Sequence, residues 1–354
     1  MKYKFLWLYA LTPLHNGAGQ GLGSIDRPII REAATGYPFV QSSSLKGALR
    51  ARAIEALMPE RKGAAGAIVR QKRTREQVEQ DADLLAAFGK GETDGNQGCL
   101  IFTDAQLFLL PVRSLAGTFA WVTSQLSLAR LFRWLEIAGD VVFKVTENGR
   151  EARQEGISLF KNLLESLHSK FERGNAIGCK NHDGAIRIDN QGTYCLEGLV
   201  LKPDAQYDAA GPKLAQLADW LGLAVFQEDA FWTRFLKEHL LLLADDDYDH
   251  LVVHHAMQVE ANIQIVETGV TKDGSLRYTE YLQAESVLIS LATIMPPLRK
   301  GYDGGIEKIE TLFNETLNYH APFQLGADES KGRGVVRVIG SDSQLSGETK
   351  GVTP

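Results

Sequence analysis

The chain has 354 residues, 44% hydrophobic and 23% charged, with 38 basic against 44 acidic side chains and a net charge of −6. That length and apolar content supply a sizeable core and exclude a disordered or low-complexity chain. Net acidity argues against a generic polyanion binder, yet from Lys46 to Arg75 nine basic residues face two acidic ones, so one face can still hold phosphates.

In chain order, MKYKFLWLYAL predicts a buried strand over 3–12. It imitates a secretory signal but is too short to span a membrane and has no small-residue cleavage site after it. A loop follows with glycine at 17, 19, 21 and 23, carrying His15 and Asp26. Alternating glycines leave bare backbone that can pass close to another molecule. They never satisfy G-x-G-x-x-G, and neither a Walker A sequence nor a G-x-S-x-G elbow occurs, which argues against dinucleotide, P-loop and hydrolase sites.

Segments 28–31 and 37–40 predict a short hairpin leading into a helix over 44–58, capped by Ser42, Ser43 or Ser44. Leu45, Leu49, Ala53 and Leu57 form its apolar face, and Lys46 and Arg50 lie one turn apart on another. Free N–H groups, the helix dipole and two cations favour a phosphate at that start. An ordinary amphipathic helix with solvated cations fits the same residues.

A basic stretch over 61–75 has no apolar period and matches no motif. Thr74 and Gln77 form a capping box opening a helix through Phe88. Strands are predicted over 99–103, 106–110, 140–145, 193–201, 240–244 and 258–266, and helices over 126–138, 157–171, 212–222 and 229–239. Lys272-Asp273-Gly274-Ser275 makes the turn of an extended hairpin. A strand over 286–293, a helix over 305–317 and a second glycine-rich loop with Lys331 and Arg333 precede the last strand. The polar tail 341–354 is expected to be disordered. These mixed elements predict an α+β sandwich of the ferredoxin type.

Three cysteines (Cys99, Cys179, Cys195) at irregular spacing suit reduced thiols in a cytoplasmic protein. Cys179, His182 and Cys195 lack a fourth zinc ligand nearby. His250 and His254 share a helical face beside Asp245, Asp246, Asp247 and Asp249, without the glutamate of a zinc-protease helix. Asp26 could hold a divalent cation or orient a hydroxyl for attack on phosphorus; it could equally cap backbone N–H groups. His15 has three readings: acid or base, phosphate contact, or packed loop residue.

Four stretches, LHNGAGQGLGSIDRPIIRE, GYPFVQSSSLKGALR, FTDAQLFLLPVRSLAGTFAWVTS and LGADESKGRGVVRV, together resemble the backbone subunits of type III-B CRISPR effectors. Those are the fourth protein of the Cmr complex, in the RAMP superfamily, whose mark is a glycine-rich loop near the C-terminus, here Gly326 to Gly334. The resemblance runs from residue 3 to about 340. It implies a single domain over 1–340 with a modified RRM or ferredoxin-like palm, helical insertions and a β-hairpin thumb at about 266–285. It also implies several copies assembled head to tail on CRISPR RNA with other Cmr subunits, away from membranes, and metal-dependent cutting of paired target RNA with Mg2+ or Mn2+. The implied catalytic and metal-holding residue is Asp26, with His15 and Glu280 as further catalytic or RNA-contacting candidates. Implied RNA contacts are Ser43, Ser44, Lys46, Arg50, Gly326, Lys331, Gly332, Arg333 and Gly334. A guide-binding scaffold that does not cut, and a RAMP endonuclease that processes precursor CRISPR RNA through His15, remain alternatives.

Overall fold

The computed structural model describes residues 1–19, 21, 23–59, 61–62, 68–70, 72–90, 97–147, 150–167, 171–227, 229–255, 257–319 and 323–344. In chain order the elements that position the site are β1 (Lys2–Ala10), α1 (Ser42–Leu57), β2 (Ala105–Arg113), β3 (Phe119–Ser124) and α2 (Gln125–Ala138). They continue with α3 (Gly156–Ser166), α4 (Tyr207–Phe226), α5 (Ala230–His239), α6 (Asp245–His254), β4 (Met257–Asn262) and β5 (Arg277–Leu282). The last are β6 (Val287–Ile294), α7 (Gly305–Leu317) and β7 (Val335–Gln344).

The palm is four antiparallel strands in the order β2-β6-β1-β7, with α1 and α7 as its two crossover helices. That is the β-α-β-β-α-β arrangement of the ferredoxin type, opened between β2 and β6 by an insertion that holds α2 to α6 and the β4-β5 hairpin. Alternation along β1 explains the two layers. Leu6 and Leu8 face α1 and α7, while Phe5, Trp7 and Tyr9 face the inserted helices.

The second face of the sheet is covered by the insertion. RRM domains stack bases on aromatic side chains of the open sheet face. Here Phe5, Trp7 and Tyr9 are at most 3% exposed, and Trp220 of α4 meets Trp7 edge-on at 5.8 Å. The insertion therefore turns what is an open platform in RRM domains into core.

Several boundaries differ from expectation for local reasons. The helix begun at Thr74 stops at Glu79, and a second, Ala82–Phe88, starts because the Asp81 side chain accepts from the Asp83 and Leu84 N–H groups. The strand over 193–201 is two, Tyr194–Leu196 and Leu199–Pro203, folded back at Glu197 and Gly198, both in left-handed conformation. Segments 28–31 and 37–40 share one bridge, Arg31 to Pro38, and Phe39–Val40 pairs instead with the start of β2. Of the basic stretch, 61–62 and 68–70 pair as a short ladder, and 63–67 and 71 lie outside the described residues. The final strand runs on to Gln344, beyond the expected domain end at 340, and 345–354 lie outside the described residues.

The hairpin is displaced relative to its expected range. Its ladder spans Met257↔Leu282 to Asn262↔Arg277, so the outgoing strand begins nine residues before 266. Beyond the ladder Ile263, Ile265, Val270 and Leu276 are 51–64% exposed, so the distal hairpin does not pack into its own subunit's core.

Candidate RNA-cleavage site

The first glycine loop leaves β1 and runs beside β5. Leu14 and Leu282 exchange backbone hydrogen bonds; further on, the Arg27 N–H donates to the Tyr278 carbonyl and the Glu280 N–H to the Arg27 carbonyl. This short parallel pairing fixes the backbone around Asp26. The Asp26 carboxylate itself accepts the Tyr278 N–H at 2.7 Å through Oδ2, on an exposed side chain. One oxygen thus pins the hairpin, the backbone-capping use open from sequence. Oδ1 has no hydrogen-bond partner among the described residues.

The second glycine loop closes on the same place. The Gly334 N–H donates to the Pro13 carbonyl and the Ala327 N–H to the His15 carbonyl, so the first and last parts of the chain are stitched together. Gly326 is required there: at φ +80° a Cβ would sit 2.4 Å from the His15 carbonyl oxygen. Asp328, itself left-handed at φ 65°, accepts from Arg27 Nη1 at 3.1 Å on both oxygens and from the Tyr281 hydroxyl at 2.7 Å. Burial pushes the Asp328 carboxyl up, but the Tyr281 hydroxyl and Arg27 outweigh it and hold it below the usual carboxylate range. Burial, with the same carboxylate, pushes Tyr281 up to about 12.

His15 and Glu280 are buried and hydrogen-bonded within the loop framework. His15 is 3% exposed, and its Nδ1 lies 2.7 Å from the Glu280 carbonyl. Because a carbonyl only accepts, Nδ1 carries a proton, and Nε2 faces Gly17, where a Cβ would come within 2.9 Å. Glu280 is 8% exposed, with Oε1 on Arg31 at 2.5 Å and Oε2 accepting the Ile29 N–H at 3.0 Å. Its carboxylate is therefore committed to the loop. Lys331 donates to Asn262 Oδ1 at 3.2 Å, and Arg333 pairs with Glu260 while lying 5.3 Å over the Tyr281 ring. Gly332 and Gly334 both have positive φ and shape that turn.

The α1 residues lie elsewhere. No serine caps the helix: Gln41 is the N-cap without a side-chain bond, and the Ser42 N–H donates to Asp104 at 2.7 Å. A carboxylate from the turn before β2 thus occupies the seat expected for a phosphate. Lys46 donates to the Leu100 carbonyl at 2.9 Å, and burial lowers its pKa. Leu100 pairs with Ile294, which pairs with Lys2, so this ammonium sits at the end of the sheet where β1 begins, away from the glycine loops. Ser43 is exposed, and Ser44 and Arg50 are half-buried.

Among the described residues no group of three histidine, cysteine or carboxylate side chains could hold a metal, the His250, His254 and His255 rings and the Cys179 to Cys195 region included. Asp26 is an exposed carboxylate at the loop junction with one oxygen open. Mg2+ commonly takes one or two carboxylates and completes its shell with substrate phosphates and water, and that donor set fits this geometry. Among the described residues no helix is long and apolar enough to cross a membrane.

Sequence reading missed Arg27, Arg31, Tyr281 and Asp328. The Arg27 and Asp328 partners are 301 residues apart, so no local signal joins them.

The chain is 27% identical to a Pyrococcus furiosus protein named CRISPR system Cmr endoribonuclease Cmr4, over 99% of both chains. The fold matches the crystal structure of oligomeric Cmr4 from that organism, with a TM-score of 0.61, 23% identity and 97% and 99% of the two chains covered. It also matches a chain of a type III-B Cmr-beta complex bound to cognate target RNA, with a TM-score of 0.62, 18% identity and 96% and 97% coverage. The sequence pattern of the RAMP superfamily matches residues 7–337, and with the two glycine loops stitched across the ends of a ferredoxin-like palm the chain belongs to that superfamily.

Proposed function

We propose that this chain is a CRISPR RNA-binding backbone subunit of a type III-B effector, assembling in several copies along the guide and cutting the paired target RNA at Asp26. The observation that carries the reading is the Asp26 carboxylate, exposed at the junction of both glycine loops and the hairpin, with one oxygen fixed and the other open. Its full-length likeness to a protein named as a Cmr endoribonuclease supports the same reading.

The chemistry follows from one positioned carboxylate. A carboxylate offers about four lone-pair sites, and the Tyr278 N–H uses one of them. The open oxygen accepts the hydrogen of a target 2′-OH; the 2′-oxygen attacks the neighbouring phosphorus, the bond to the 5′-oxygen breaks, and water protonates the leaving oxygen. The products are a 2′,3′-cyclic phosphate and a 5′-hydroxyl, and DNA, lacking the nucleophile, is spared. A Mg2+ or Mn2+ ion bound there would supply positive charge against the phosphate, and Asp26 is the described residue placed to hold it.

Guide contacts are assigned to Ser43, Ser44, Lys46 and Arg50 along α1 and to the second glycine loop at Gly326, Lys331, Gly332, Arg333 and Gly334. Lys46 has three N–H donors and spends one on Leu100. Phosphate contacts hold any guide sequence, so base pairing alone selects the target. A head-to-tail interface whose rotation does not close gives an open array along that guide.

The test is cleavage of complementary RNA by reconstituted complexes at saturating Mg2+ or Mn2+, after guide occupancy is matched. Asp26→Ala should abolish cutting and His15→Ala should reduce it only as far as it loosens the loops. Full cutting by Asp26→Ala would favour a scaffold. Metal-independent cutting of precursor RNA by the isolated chain, lost in His15→Ala, would favour the processing enzyme.

A further inference from the structure

We propose that the cavity of about 270 Å³ between the hairpin turn and the two glycine loops is a phosphate pocket for the RNA strand that is cut, with Lys272 and Arg277 as its principal cations. The inference rests on the reading of Asp26 above and extends it to residues that neither glycine loop supplies.

The lining brings four cations together: Arg27 from the first glycine loop, Lys331 from the second, and Lys272 and Arg277 from the hairpin. Arg27 and Lys331 share Asp328, at 3.1 and 3.7 Å, so one of their two charges is offset. Lys272 and Arg277 are exposed and have no ion pair among the described residues, and Asp273 is the one carboxylate in the lining. Asp273 and Asp328 offset part of the charge of the four cations, so the pocket keeps a net excess of positive charge. An RNA phosphodiester is the ligand class that matches such a set in a cavity of this size.

The pocket is held rather than loose. The Lys272 N–H donates to the Gln264 carbonyl at 2.8 Å, the Ser275 N–H donates to the Lys272 carbonyl at 3.1 Å, and the Gln264 N–H donates to the Ser275 hydroxyl at 3.1 Å. Arg277 immediately precedes Tyr278, whose N–H fixes Asp26. The carboxylate that meets the 2′-OH and the guanidinium that meets the phosphate thus stand on adjoining positions. Charge gathering on the phosphoryl oxygens as the 2′-oxygen attacks would be met by this guanidinium.

The experiment uses the full chain assembled on guide RNA, with Lys272→Ala, Arg277→Ala, the double variant and Arg277→Lys. Guide occupancy should equal that of the native complex. The double variant should cut about 100-fold more slowly in single turnover, and the slope of log target affinity against log salt should fall by about 2. Arg277→Lys should recover the salt slope but only part of the rate, since an ammonium keeps the charge and loses the planar fork. Unchanged rate and slope in the double variant would overturn the pocket, and so would loss of guide occupancy, which would give these cations to the guide. Asp26→Ala is run alongside: if it is inactive while the double variant is normal, the pocket fails and the catalytic reading stands; if it cuts normally, the catalytic reading itself fails.

Discussion

Asp328 offers the most informative perturbation of the loop junction. Its side chain is 12% exposed, and it accepts twice from Arg27 and once from Tyr281. Hydrogen bonds to a charged group contribute roughly 1.5–3 kcal/mol each when buried, but Arg27 keeps 34% of its side chain exposed, so screening reduces its share. Asp328→Asn retains an acceptor for Tyr281 and tolerates the left-handed backbone, so it should cost about 1–2 kcal/mol. Asp328→Ala loses every acceptor and adds left-handed strain of about 1 kcal/mol, for a total of about 3–4 kcal/mol. The assay is urea unfolding of the free chain. Because the folded-state pKa of Asp328 lies below its ordinary 3.8, its contribution is complete above that value and fades as the pH falls through the folded one. The gap between native chain and Asp328→Asn should therefore be full at neutral pH and shrink in acid. Equal midpoints for the native chain and Asp328→Ala at pH 7 would refute the clamp.

Three further outcomes follow from the same geometry. Gly326→Ala should destabilise the chain by more than about 3 kcal/mol, since its Cβ meets the His15 carbonyl, whereas Gly332→Ala, at positive φ in open space, should cost about 1 kcal/mol; paired unfolding curves compare them. Burial pushes the Glu285 carboxyl from 4.5 up to about 7, so its protonated form stabilises the fold below pH 4.5 and that stability is lost as the pH rises through about 7. Glu285→Gln should remove this slope and gain about 2 kcal/mol at pH 8 after discounting for the solvent-facing side, with Gln still accepting from the Tyr9 hydroxyl; a Tm series across pH measures it. Lys46→Ala with Arg50→Ala should flatten the salt dependence of guide binding, by filter binding over a salt series, whatever the guide sequence.

What could be read from the chain depended on whether the deciding contact was local. Thr74 and Gln77 announced a capping box, and both of its bonds form. The β1 run, the Gly139 stop after α2 and the α7 helix were equally local. Phe119–Ser124 escaped assignment because it is a short apolar run without period-2 alternation, buried between β2 and Leu240–Leu243. At the candidate site, the two glycine loops were visible because glycine spacing is a local signal. The surroundings of His15, Glu280 and Lys46 were not, since each side chain meets a carbonyl or guanidinium from a distant element: Glu280, Arg31 and Leu100. The serine cap failed for the same reason, with Asp104 reaching the helix start from 62 residues away.

The most direct test of the central claim is single-turnover cutting of guide-paired RNA by complexes assembled with Asp26→Asn. Asparagine can still accept the Tyr278 N–H, so the hairpin anchor and guide occupancy should match the native complex while the anionic oxygen is gone. A loss of about 100-fold or more in rate, with unchanged target affinity, is the predicted result. Native cutting rates from Asp26→Asn at equal occupancy would contradict it.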